Sequence, residues 1–134
     1  MPQPLPRPSP LTMVARALTR RCPHCGGAGL FTGWFKARDR CPACGVRLLR
    51  GDESWATGTY LFNLVVSELL LMAVLAAVVV STWPDPPWAF LQVGSLALMV
   101  ATPILFYPFA RLLFLAFDMM FRPVQPDELA GPTA

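Results

Sequence analysis

Charge is what this sequence has little of. Only 14% of its residues are Asp, Glu, Lys or Arg, where a soluble protein carries about 25%, and 54% are hydrophobic. The shortage is uneven. Nine of the eleven Lys and Arg precede residue 59, and the apolar residues concentrate after it. An evenly solvated globule is therefore excluded, and a membrane protein with a basic head is indicated. No nucleophile, base and orienting group recur at a plausible spacing, so no enzyme is expected and no small-molecule substrate is evident. No apolar run follows the start, so a secretory signal peptide is not expected. No βαβ context surrounds the cysteines, as a thioredoxin-type centre requires.

What is present begins with two Cys-x-x-Cys pairs, Cys22-Pro-His-Cys25 and Cys41-Pro-Ala-Cys44, fifteen residues apart. That spacing fits a four-cysteine zinc site. Four thiolates close a tetrahedron round one structural Zn²⁺ and leave no position for a substrate. Gly26 and Gly45 follow the pairs and permit tight turns of positive φ. His24 lies between two ligands and reads as a bystander. Structural disulfides, redox chemistry or another metal are the competing readings, and disulfides need an oxidising compartment. About thirty residues bury too little surface to fold unaided, so the metal is expected to supply most of the head's folding energy.

Along the chain, residues 1–19 are a proline-rich tail (five prolines in the first ten residues) and a short basic segment. Leu11, Val14, Ala15 and Leu18 share one side of that segment at helical spacing. It reads either as an amphipathic helix on anionic headgroups or as a frayed linker. Residues 20–50 are expected to form the zinc ribbon, a short β-hairpin with Leu30, Phe31, Trp34 and Phe35 between the cysteine pairs. Arg20, Arg21, Lys36, Arg38, Arg40 and Arg47 offset the negative charge of the metal–thiolate centre. Residues 51–59 connect, with Trp55 and Tyr60 as interfacial anchors.

Residues 60–80 are the first span. Twenty-one residues of helix cover about 30 Å, the hydrocarbon thickness. Thirteen Leu, Val and Phe favour insertion by about 5 kcal/mol, and Glu68 opposes it by about 3. Residues 81–87 make a tight turn, and residues 88–110 a second span, which Pro103 and Pro108 are expected to kink. Those prolines leave the carbonyls of Met99 and Ile104 without their usual donors. Residues 111–122 continue as an interfacial extension carrying Arg111 and Asp118, with Arg111 at headgroup level. Residues 123–134 look disordered. The fold class is thus an all-α membrane hairpin with a small N-terminal zinc ribbon. The basic residues before the first span put both termini in the cytoplasm. The same topology accounts for the basic head, so nucleic acid is not an expected partner.

Thr59, Asn63 and Ser67 recur every four residues and form a polar stripe beside Tyr60 and Glu68. If the helices pair about a turn near Asp85, Glu68 lies level with Thr102 and Asn63 with Tyr107. Thr102, or the carbonyl freed by Pro103, then accepts a bond from protonated Glu68. Glu68 is a hydrogen-bonded packing residue, a contact for a partner subunit, or part of a proton or ion path. Small residues Ala73, Ala76 and Ala77, with Gly94, Ala97 and Ala101, allow close helix approach within the hairpin or between molecules.

The order of features resembles a known family. Cys-Pro-x-Cys-Gly, then Gly29-Leu30-Phe31 and an aromatic-basic stretch to Lys36, a second Cys-Pro-x-Cys-Gly and a two-helix hairpin are similar to a bacterial family of small membrane proteins, the domain of unknown function 983. The likeness covers roughly residues 20–122. Where many members carry a Gly-Asp-Gly-Pro-Ala-like stretch, this chain has Gly51-Asp52-Glu53-Ser54-Trp55-Ala56-Thr57-Gly58. Some members look to be encoded beside respiratory oxidase assembly factors, so the resemblance implies an accessory role. The expected partners are the lipid bilayer and other membrane subunits or a second copy. The expected function is a non-enzymatic accessory or assembly protein. A thiol-based metal carrier or redox protein and an oligomeric proton path through Glu68 are the alternatives.

Overall fold

The computed structural model describes residues 6–50 and 53–129. The first prolines of the tail, residues 51–52 of the connector, the side chain of Trp55 and residues 130–134 lie outside the described residues. Four helices follow in order: α1 (Pro10–Leu18), α2 (Glu53–Ser81), α3 (Trp88–Phe121) and α4 (Pro126–Leu129). Ser9 caps α1, its hydroxyl accepting from the Thr12 N–H at 3.3 Å, and Pro10 takes the first turn, where its missing N–H matters least.

α2 and α3 are long and apolar enough to cross a membrane, and they pack against each other as an antiparallel hairpin. Their outer surfaces are apolar and bare: Leu69, Val93, Leu96 and Met99 are each more than 60% exposed. Such a surface in water forfeits roughly 1.5–3 kcal/mol for every large side chain left uncovered; a hydrocarbon surround removes that cost. The helices turn between Ser81 and Trp88, where the Thr82 hydroxyl returns to the Val78 carbonyl at 2.7 Å.

α2 begins at Glu53, so the last seven positions of the expected connector are helical. α3 runs unbroken through Pro103, Pro108 and Arg111. Its 34 residues extend about 51 Å, well beyond a hydrocarbon core of about 30 Å. The excess is the scaffold for the head. Leu112, Leu113, Leu115, Ala116 and Met119 form one buried cluster with Met13 and Ala17 of α1 and with Cys22, Leu30, Cys41, Val46 and Leu48. Residues 111–122 are thus the spine of the head's core, with five of their twelve side chains buried.

Two expectations are corrected. No regular strand occurs among the described residues. The hairpin reduces to single antiparallel bridges, Phe31 with Ala37 and Arg40 with Arg47. The chain does reverse near Gly33, with Thr32 N–H donating to the Lys36 carbonyl and Arg38 N–H to Leu30. Each arm lasts only a few residues before Gly29 (φ +80°) or the second knuckle bends it away, so no ladder develops. The second correction concerns the tail. Residues 123–129, expected to be disordered, fold back on the head, with Val124 buried and α4 against the second knuckle.

Candidate metal centre

The two cysteine pairs fold alike. In the first, Cys22 N–H donates to Gly27 and Gly26 N–H to the Cys22 carbonyl; in the second, Cys41 N–H donates to Val46 and Gly45 N–H to the Cys41 carbonyl, all at 2.8–2.9 Å. Gly26 and Gly45 both take φ of +77°, a turn that a residue with a Cβ resists. The knuckles meet back to back. A Cβ on Gly27 would stand 2.7 Å from the Ala43 methyl.

This repeat brings four sulfurs together. Cys22, Cys25, Cys41 and Cys44 Sγ all lie within 4.8 Å of one another, and none is in a disulfide. Cys22 and Cys44 are 3.9 Å apart and Cys25 and Cys41 are 3.6 Å apart. A regular tetrahedron with bonds of about 2.3 Å has edges of about 3.8 Å, so the cluster fits a tetrahedral tetrathiolate and can hold a metal ion.

Burial makes two of the four thiols resist ionisation unless a cation is present. Burial pushes the Cys22 thiol far above its ordinary value, and burial likewise pushes Cys44 up to about 12. Cys41 is also desolvated, but N–H groups of Cys44 and Ala43 aimed at its sulfur outweigh that and hold it below the usual value. A central dication converts such buried thiols to thiolates. Cys25 is the exposed member of the set. His24 is outside the cluster; burial and the neighbouring Arg16 hold its imidazole below the usual value.

Basic residues brace the knuckles. Arg16 of α1 donates to the carbonyls of Pro23 and His24 (3.3 and 2.9 Å), and Arg40 to those of Gly45 and Glu128 (both 3.0 Å). Arg20 lies 5.1 Å above the rings of both Phe31 and Trp34. Arg50, its side chain only 5% exposed, clamps the head to the end of α3 and to the tail. It donates to Asp118 Oδ2 at 2.9 Å, to the Arg122 carbonyl at 2.8 Å and to Glu128 at 2.8 and 3.0 Å. Asp118 is therefore half of a partly buried ion pair. Sequence reasoning missed Arg50, Glu128 and the docking of Trp34, whose Nε1 donates to the Ile104 carbonyl at 2.8 Å. The orphaned carbonyl was legible from Pro108; its donor, 70 residues away, was not.

In the hairpin, Thr59, Asn63 and Ser67 are buried on one line of α2. Asn63 Nδ2 donates to the Pro103 carbonyl at 3.0 Å, one turn nearer the loop than Tyr107. Tyr107 instead meets the Phe35 ring, 5.3 Å between centroids. Asn63 Oδ1 and Ser67 Oγ are buried without a partner. Thr102 is half-buried, and the structure gives it no bond to Glu68. Glu68 is exposed on the outside of α2 and lines a hollow of about 60 Å³ with Ser67, Met99 and Pro103. Arg111 lies half-buried beside Tyr60 and Tyr107.

Residues 31–119, well over half of the chain, match the family model described as "Protein of unknown function (DUF983)". The match takes in the second knuckle and both long helices and begins after the first knuckle. Neither a curated protein nor a solved structure matches the chain. With most of its length matched, including the hairpin and half of the cysteine cluster, this chain belongs to the DUF983 family.

Proposed function

We propose that the protein is a non-enzymatic accessory or assembly subunit of the bacterial inner membrane. Its head sits on the cytoplasmic side with both termini, held by one structural zinc, and the hairpin docks against a larger membrane complex. Zinc suits four thiolates with near-tetrahedral separations and a closed shell. The asymmetry of Lys and Arg supports the orientation.

The observation that carries the docking reading is Glu68. It sits about 20 Å from Ser81 along α2, near the middle of the span, and its side chain faces outward. It makes no hydrogen bond or ion pair among the described residues. An acid left unpartnered in hydrocarbon is expensive, and intramembrane acids face protein or water. The buried stripe beside it packs the hairpin without it, so a polar group from another membrane subunit is its natural complement. A photo-crosslinking amino acid at position 68, in cells, tests this. A discrete protein adduct is expected, one that a label at lipid-facing Val93 does not give. Lipid adducts alone at both positions would sink the reading.

Exposed Cys25 favours one alternative, a thiol-based metal carrier, because an incoming ligand reaches that sulfur first. Retention of the metal against a competing chelator separates the two: a structural site keeps it, a carrier yields it while the head stays folded. A proton path is the weaker reading, since two helices do not enclose one.

A further inference from the structure

The hairpin and the head enclose a second feature that the docking reading does not use. Leu49, Ala56, Thr59, Tyr60, Tyr107 and Arg111 line a cavity of about 200 Å³. It is smaller than the roughly 300–1,000 Å³ of pockets that enclose drug-sized ligands, and so suits a headgroup-sized guest. Arg111 makes no hydrogen bond or ion pair among the described residues, and its Nε is buried without a partner. The guanidinium that clamps the head, Arg50, by contrast meets two carboxylates. A cation half-removed from water and left unpaired needs an anion. The phenol hydroxyls of Tyr60 and Tyr107 are likewise without a bond within the described chain and are available as donors.

Depth fixes which anion is within reach. Arg111 is 23 residues from Trp88, about 35 Å along α3, and Tyr60 is 21 from Ser81, about 32 Å along α2. Both stand just past a hydrocarbon layer of about 30 Å, at the level of the phosphates of the inner leaflet. A guanidinium offers two parallel donors to one phosphate, and aromatic hydroxyls at interfacial depth complete its shell. Basic pockets between membrane helices on the cytoplasmic side are suited to anionic headgroups.

We infer that this cavity is a phosphate-binding site, with Arg111 the charged ligand and Tyr60 and Tyr107 its hydroxyl donors. The inference rests on the two-span reading.

Native mass spectrometry of the full chain in mild detergent tests it, using phosphatidylglycerol and a galactolipid of the same acyl chains as probes. Wild-type protein should retain phosphatidylglycerol and not the galactolipid. Arg111→Gln should lower retention roughly tenfold, the loss of a charge-assisted hydrogen bond. Arg122→Gln, at an exposed position outside the cavity, should not. Tyr107→Phe keeps the ring against Phe35 and should lower retention severalfold; it decides the matter if Arg111→Gln loses its metal and fails to fold. Displacement by millimolar inorganic phosphate would assign the site to a soluble phosphate; resistance would assign it to the lipid. Equal retention of both lipids, or by wild type and Arg111→Gln, or an equal loss in Arg122→Gln, would overturn the inference. Alkaline extraction of native membranes separates a failure of the two-span reading, since a spanning hairpin stays in the pellet.

Discussion

Trp34 Nε1 donates a 2.8 Å hydrogen bond to the Ile104 carbonyl, the acceptor that Pro108 deprives of its helical donor. The tip of the head's loop thereby closes a gap in the backbone of the second long helix. Phe35 adds the ring of Tyr107 to the same contact, and Arg20 lies over the Trp34 and Phe31 rings. The head is seated on the hairpin through this finger.

The first prediction is a coupling between those two residues. Trp34→Phe should loosen the finger and speed trypsin cleavage after Lys36 by roughly fivefold, for a bond worth about 1 kcal/mol. Pro108→Ala restores an N–H to Ile104, so the same tryptophan change should then cost much less. An equal effect in both backgrounds would show that the bond is idle.

The second concerns the clamp. Arg50→Met leaves Asp118 and Glu128 without their cation. Removing one partner of a buried pair costs about 3–5 kcal/mol, and the low end applies here because the carboxylates are 16% and 24% exposed. Hydrogen exchange should show residues 123–129 released while the amides of α2 stay protected. Unchanged protection of the tail would contradict the clamp.

How much of this was legible in the sequence depends on range. The knuckles are local: two Cys-Pro-x-Cys-Gly turns carry their own φ requirement and their own hydrogen bonds. The two long apolar helices are legible because their length and hydropathy read directly from composition. The polar stripe follows from a four-residue repeat, and Glu68 falls off its line because one further residue turns the helix by about 100°. The tail was misread because its order depends on Arg50 meeting Glu128, 78 positions away, and no periodicity announces such a pair. The ribbon's strands were over-read because its arms are too short to ladder. The sharing of the head's core with Leu112, Leu115 and Met119 was equally silent, since the sequence of an apolar helix looks the same whether its faces meet lipid or protein.

A third prediction follows from Glu128. Burial raises its carboxyl, but the bonds from Arg50, the Gln125 N–H and the charge of Arg47 outweigh this and hold it below the ordinary value of 4.5. A depressed carboxyl stabilises the docked tail fully above its unfolded value, and that contribution is lost as pH falls through the folded one. Tail protection should therefore be flat from neutral pH down to about 4.5 and decline below it. Glu128→Gln should lower protection at neutral pH and flatten the acid limb. A decline centred near neutrality would point to a different group.

The fourth tests the second knuckle. Gly45 holds φ at +77°, and a Cβ there would stand 2.7 Å from the Leu129 carbonyl oxygen. Gly45→Ala should cost about 1–3 kcal/mol and detach α4 with it. Gly33→Ala, where a Cβ would meet nothing within 4 Å, is the matched control and should be close to neutral in a thermal unfolding series.

The most direct test is X-ray absorption at the zinc edge on protein purified without added metal. One zinc per chain, in a single shell of four sulfurs at about 2.3 Å, with Cys22→Ser losing both the ion and the protection of residues 20–50, is the expected outcome. A substoichiometric ion, or a shell containing light atoms in place of sulfur, would contradict it.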